Sequence, residues 1–238
     1  MTNTAALLAL MQVSDSAFPS GAFVHSYGLE QLVRERHITD APGLERFVSS
    51  ILQQSLATAD APAAYSATSA SSLDEVIDID CALFATKAAS ELREACISTG
   101  RRFLEESGHL SPRVRAGATF GTDAPYLNAV LTKTAPGCYP AAFGVVCRDF
   151  GVAPTDVPGV FLLGALTAIL QSAMRLMRVS HRDVQAALHA LRPQIASIAD
   201  GIISQKAGAS RPTLHAFNPM QDIASMRHEC AEARLFAS

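Results

Sequence analysis

The sequence predicts an all-α protein, and three observations carry the prediction. Apolar residues recur at three- and four-residue spacing from Glu45 onward. No segment shows the period-two alternation of a half-buried strand. One uncharged run, Val157 to Met174, has the length of a central helix buried among others.

The elements follow in order. Glu45 to Leu56 places Phe47, Val48, Ile51 and Leu52 on one helical face, with Thr39 or Asp40 as its cap and Pro42 in its first turn. Ala57 to Ser72 is rich in Ala, Ser, Thr and Pro and reads as a helix interrupted at Pro62, then a loop. Asp74 to Thr86 aligns Ile77, Cys81 and Phe84; the next helix carries the stripe Leu92, Cys96, Thr99 and Phe103. Val160 to Met177 is the central apolar helix, and Leu166 sits at its middle. His181 to Ala199 follows, with Val184, Leu188, Leu191, Ile195 and Ile198 on one face and Pro193 expected to bend or split it. Gln205 to Pro219 is polar and rich in breakers, so it reads as a linker to a short tail. In that tail Ile223, Met226, Cys230 and Ala233 share one helical face, with Asp222 available as cap. The expected organisation is a single compact multi-helix body, 1–204, followed by a linker and partner-docking helical tail, 205–238.

Composition narrows the function. The chain has 238 residues, 49% hydrophobic and 17% charged, which suits a folded domain with a sizeable core. A net charge of −3 gives no electrostatic footprint for nucleic acid or an anionic membrane. No secretory signal pattern opens the chain, and a cytoplasmic location is expected. Cys81, Cys96, Cys138, Cys147 and Cys230 form no C-x-x-C, so scattered buried thiols are expected rather than disulfides or a zinc site. No phosphate-binding loop, dinucleotide fingerprint, zincin motif or nucleophile elbow occurs. The histidines are dispersed; His181 and His189 stand two turns apart, too far to share one ion. Neither a cofactor, a metal site nor catalysis is expected.

Two segments stand out. Ser14 to Glu30 packs Phe18, Phe23 and Tyr27 around a Phe-Pro-Ser-Gly turn, with Ser20, His25, Ser26 and Glu30 as its polar members. It reads as a tight turn whose aromatic rings fill the core, or as a rigid turn presenting polar side chains to a partner at little entropic cost. The second is the end, Ser225 to Ser238, which closes on Arg234-Leu235-Phe236. Two large apolar groups and an arginine suit an interface anchor.

These segments resemble the urease accessory proteins of the UreF family. The pattern F-P-x-G-x-F-x-x-S-x-G-L-E is filled by Phe18, Pro19, Gly21, Phe23, Ser26, Gly28, Leu29 and Glu30. The family's S-M-R-H-E…R-L-F-x-S ending is filled by Ser225, Met226, Arg227, His228, Glu229, Arg234, Leu235, Phe236 and Ser238. Between them, Glu91-Leu92-Arg93-Glu94, Gly100-Arg101-Arg102, Tyr139 to Gly144 and Arg175-Leu176 match in order. Cys138 stands where that family usually has His; Met177 and Ser180-His181 also depart.

The resemblance implies an all-α homodimer that binds UreD (also called UreH), through it the GTPase UreG, and acts on apo-urease during nickel insertion. It implies no resident nickel and no GTP hydrolysis. The candidate partner-binding residues are Ser20, His25, Ser26, Tyr27 and Glu30, the polar positions of the first segment, and Arg227, His228, Glu229, Arg234, Leu235 and Phe236 in the tail. The tail is expected to be free of the body until a partner arrives. The competing reading is a helical enzyme with a site near His25, Ser26 and Tyr27, for which no oriented acid can be named.

Overall fold

The computed structural model describes residues 2–110, 126–206 and 213–238. Among the described residues there is no β-strand. The helices are α1 (Thr4–Ser14), α2 (Leu29–Arg34), α3 (Ala41–Ile51), a π-helical segment (Leu52–Asp60), α4 (Ala61–Ser69), α5 (Leu73–Ala85), α6 (Ser90–Leu110), α7 (Tyr126–Leu131), α8 (Tyr139–Asp149), α9 (Val157–Leu176), α10 (His181–Lys206) and α11 (Pro219–Glu229). The all-α expectation holds.

Local chemistry explains most boundaries. Asp40 caps α3, its carboxylate accepting the Gly43 N–H at 2.8 Å with Pro42 in the first turn. Ser72 caps α5 through the Glu75 N–H. The tail helix is capped by Asn218, with Pro219 opening the first turn, and Asp222 lies inside it instead of capping it. Pro193 does not split α10: the helix runs unbroken through it. Pro193 and the residue four before it, His189, both lie on the exposed face, where water can take a freed carbonyl.

Pro62 likewise leaves the helical path intact. The chain runs from α3 through the π segment into α4, and Pro62 sits in the first turn of α4. Proline has no N–H for the carbonyl four residues back, here that of Thr58. That carbonyl accepts from the His215 N–H at 3.2 Å, and the Gln54 carbonyl accepts from Phe217 N–H at 3.1 Å. The segment entering the tail helix is thereby hydrogen-bonded to the body. Of the expected linker, residues 207–212 lie outside the described residues.

The core is laid along α4, α8 and α9. Gly144 lets α8 close on α4; a methyl group there would meet the Ala64 carbonyl oxygen at 2.3 Å. Leu162, Leu166, Ile169 and Leu170 of α9 are buried, so this helix, uncharged up to Met174, is central as expected. It is also the one described helix long and apolar enough to cross a membrane. Phe103 of α6 stacks with Phe18, Tyr139 and Phe143 at centroid distances of 5.2, 5.3 and 5.7 Å, which joins the first motif to α8. Asp80 of α5 is fully buried and accepts from the Tyr126 hydroxyl and the Gly137 and Cys138 N–H groups, fixing the turn before α8.

Candidate partner-binding site

The two motifs at opposite ends of the chain fold onto each other. Tyr27, with φ +55°, and Gly28, with φ +86°, turn the chain sharply into α2. Glycine suits the second position: beyond the positive φ, a methyl group there would lie 3.1 to 3.2 Å from the Gln221 carbonyl, Ala224 Cβ and Ser225 Oγ of the tail helix, closer than ordinary contact. The turn delivers Glu30, in the first turn of α2, directly under the tail.

Glu30 is the centre of a buried polar node. One carboxylate oxygen accepts from the Leu235 N–H at 2.8 Å and from Arg34 at 3.1 Å. The other accepts from the Phe236 N–H at 2.9 Å and lies 3.0 Å from His228 Nε2. The opposite ring nitrogen, Nδ1, lies 2.8 Å from Glu91 Oε1 of α6. A neutral imidazole has one N–H and can donate to one of these carboxylates; the imidazolium donates to both. Burial works against the charge on Glu30, but the Leu235 and Phe236 N–H groups and His228 outweigh it and hold the carboxyl below its ordinary value.

The last residues are pinned further. Ala237 N–H donates to the Val24 carbonyl at 2.7 Å, the Ser26 N–H donates to the Ser238 carbonyl, and His25 Nδ1 lies 2.7 Å from Ser238 Oγ. Burial pushes the His25 imidazole down to about 4. Phe236 is buried beneath Arg175, whose guanidinium sits 4.4 Å from the ring centroid.

The eleven candidate residues therefore divide. Ser20, His25, Ser26, Glu30, His228 and Phe236 are buried in the described structure, and Tyr27 is half-buried. Arg227, Glu229, Arg234 and Leu235 are exposed. Arg227 pairs with Glu35 at 3.0 Å, Glu229 accepts from the Ser90 hydroxyl at 2.5 Å, and Arg234 reaches Glu91 at 3.4 Å. The tail, expected free of the body, is seated on it, because Glu30 offers acceptors to its otherwise unpaired N–H groups. Phe23, expected to plug the core, is 61% exposed. Phe18 takes the core position against Phe103 instead. Ser26 Oγ accepts from the Glu30 N–H, and His25 Nδ1 lies against the Ser238 hydroxyl; no hydrogen bond joins the Ser26 hydroxyl to the His25 ring among the described residues.

What the sequence reading missed is the outer face of the tail helix. Asn218, Gln221, Ser225 and His228 point inward, whereas Met220, Ile223 and Met226 are 43 to 51% exposed, with Phe217 beside them at 75%. The periodic apolar stripe is thus the outward face and the polar stripe the inward one. Its signal was the stripe Ile223, Met226 and Cys230, which periodicity alone assigns to a face without saying what covers it. Glu91 was also visible, as the first residue of the Glu-Leu-Arg-Glu stretch, without its partner His228. Among the described residues no group of three or more His, Cys, Asp or Glu side chains is gathered as a metal site.

These features define an all-helical protein whose two terminal motifs close on one carboxylate–imidazole node and which turns an apolar, arginine-edged helix face outward. The family model for UreF matches residues 38–192, between the two motifs. Full-length similarity covers the motifs as well. The chain is 30% identical to a urease accessory protein UreF of Photorhabdus laumondii over 99% of its own length and 100% of that protein's. It is 30% identical to one from Bacillus sp. strain TB-90 over 98% and 99%, and 31% identical to a urease accessory protein UreF 2 of Brucella canis over 97% and 91%. The chain belongs to the UreF family of urease accessory proteins.

Proposed function

We propose that this protein is a non-catalytic scaffold of urease maturation in the cytoplasm. On this reading the outer face of α11, with Arg234 and Leu235 at its edge, docks a UreD-type (UreH) protein. Through that complex it brings the GTPase UreG to apo-urease, with nickel as the cargo. The observation that carries the reading is the inverted tail helix. A short helix that turns Asn, Gln, Ser and His inward and Met and Ile outward leaves apolar area in water, which a partner would remove. The buried node holds that face in place beforehand, so little ordering is needed on binding. The homodimer belongs to the same reading and rests on the family alone.

The test is co-purification with UreD and UreG, with urease activation as readout. Ile223→Asp with Met226→Asp should leave the melting temperature close to wild type, because both side chains are already half in water. The pair should abolish capture of UreD. Arg234→Ala alone should weaken capture by about 2 kcal/mol if it is an interface anchor. Full capture and activation by the double variant would refute this docking face.

A further inference from the structure

His228 carries the tail helix into the body. Its ring has no solvent exposure, and the carboxylates on either side of it, Glu30 of α2 and Glu91 of α6, are on residues 6% and 4% exposed. Both ring nitrogens lie within hydrogen-bond distance of a carboxylate oxygen, Nε2 at 3.0 Å from Glu30 and Nδ1 at 2.8 Å from Glu91. Each of these two gaps needs a hydrogen, because a bare ring nitrogen and an ionised oxygen both present lone pairs and repel. Two ionised carboxylates and a neutral imidazole hold only one hydrogen among them. The seated helix therefore needs one proton more than that set supplies.

The two carboxylates are not equally provided for. Glu30 accepts from the Leu235 and Phe236 N–H groups and from Arg34, so its charge is satisfied whatever the ring does. Glu91 has no backbone donor among the described residues. Beyond His228, its Oε1 reaches only Arg234, at 3.4 Å, and its Oε2 is buried without a partner among the described residues. A buried carboxylate so poorly supplied is costly unless a cation stands against it. Among the described residues, the charged groups facing the ring are Glu30 and Arg34 from α2, Glu91 from α6 and Arg234 from the closing segment. The two arginine side chains are 40% and 42% exposed, and water weakens what they contribute. On α11 itself, Arg227 and Glu229 are exposed and engaged with Glu35 and Ser90.

We propose that this node is a proton-binding site that governs the seating of the tail helix: His228 is an imidazolium while α11 is docked on α2 and α6, and release of its proton as the pH rises frees the helix. An imidazole in water gives up its proton at about pH 6.5. Above that pH the seated ring holds a proton that the released ring does not. Seating is therefore strongest below about pH 6.5 and weakens above it, about tenfold for each pH unit, until the seated node gives up its proton too. Once unseated, α11 is an isolated helix of 11 residues, too short to persist in water. The consequence for binding rests on the docking role proposed above. The outward face of Met220, Ile223 and Met226 is presented at neutral pH and is withdrawn as the medium becomes alkaline.

The experiment follows hydrogen exchange of the full chain at pH 7 and pH 8, by mass spectrometry of a peptide covering residues 219–238. Each rate is divided by that of the unfolded chain at the same pH. Wild-type protection should fall about tenfold over this interval. In Glu91→Gln the amide N–H donates to Nδ1 of a neutral ring, whose Nε2–H still serves Glu30. The extra proton is then not needed, and protection should stay constant. The second measurement is nitrogen NMR of the wild type labelled in its histidines, which keeps the proposal testable if Glu91→Gln folds poorly. His228 should carry hydrogen on both ring nitrogens at pH 7. Wild-type protection that does not change with pH, an equal fall in Glu91→Gln, or a bare Nδ1 on His228 at pH 7 would overturn the proposal. Capture of UreD at the same two pH values tests the docking role separately. Capture that stays constant while protection falls would refute that role and leave the proton site standing.

Discussion

Replacing Glu30 by alanine separates the tail from the body without touching the tail itself. In the wild type, one carboxylate accepts from Leu235 N–H, Phe236 N–H, His228 and Arg34. Without it, a docked tail holds two backbone donors and one ring nitrogen unpaired and buried, at roughly 1–3 kcal/mol each, so about 5 kcal/mol in all. Undocking gives up the burial of Phe236, about 2–3 kcal/mol, and the two backbone bonds to Val24 and Ser26, about 1 kcal/mol each. It recovers roughly 1 kcal/mol of chain entropy for each residue released. Undocking is the smaller loss. The Glu30→Ala protein should therefore keep its helical body, melt a few degrees lower, and lose hydrogen-exchange protection at the Leu235, Phe236 and Ala237 amides. Mass spectrometry of a C-terminal peptide reads this directly. Full protection of those amides in Glu30→Ala would refute the reasoning, because it would show that Glu30 is not what holds the tail.

Four further outcomes are expected. Burial holds His25 at about 4 against its ordinary 6.5, so the unfolded chain binds a proton that the folded chain refuses between these values. This contribution to stability is full above pH 6.5 and is lost as the pH falls towards 4; wild type should lose about 2 kcal/mol more than His25→Gln between pH 7 and 5, measured by urea midpoints. Gly28→Ala, at φ +86° and pressed against the tail helix, should cost about 1–3 kcal/mol and expose the tail to protease. Phe23→Ala should change stability by no more than about 0.5 kcal/mol, since the ring is largely in water. Leu166→Asp should unfold the protein, because it places an unpaired carboxylate at a position with no solvent exposure, and circular dichroism would show the loss of helix.

Helix positions were legible because burial of one face imposes a period on the sequence: Phe47, Val48 and Ile51 line the core side of α3, and Val184, Leu188 and Ile195 that of α10. The cap at Asp40 was legible, with Pro42 two residues on; the cap at Asn218, directly before Pro219, was not, Asp222 being expected in its place. Periodicity does not state which face is covered, so the outward stripe on α11 was invisible until Asn218, Gln221, Ser225 and His228 were seen to point inward. The two end motifs were legible as unusual segments, but not as partners. Nothing local in Glu30 signals that its acceptors serve amides 205 and 206 residues further on. Phe23 and Phe18 are alike in sequence context, and only the position of Phe103 decides which ring goes inside.

The π segment from Leu52 to Asp60 makes the count of residues in this stretch matter as well as their identity. A π ladder pairs each N–H with a carbonyl five residues back instead of four, as the Ala61 N–H does with Leu56. Removing one residue between Leu52 and Asp60 would let an ordinary α ladder form, and it would turn everything beyond by about 100°. The Ala64 and Ala67 face of α4 would swing away from Gly144, and the Gln54 and Thr58 carbonyls would no longer present themselves to Phe217 and His215. Substitutions at the exposed Gln53 and Gln54 should be tolerated far better than a single-residue deletion.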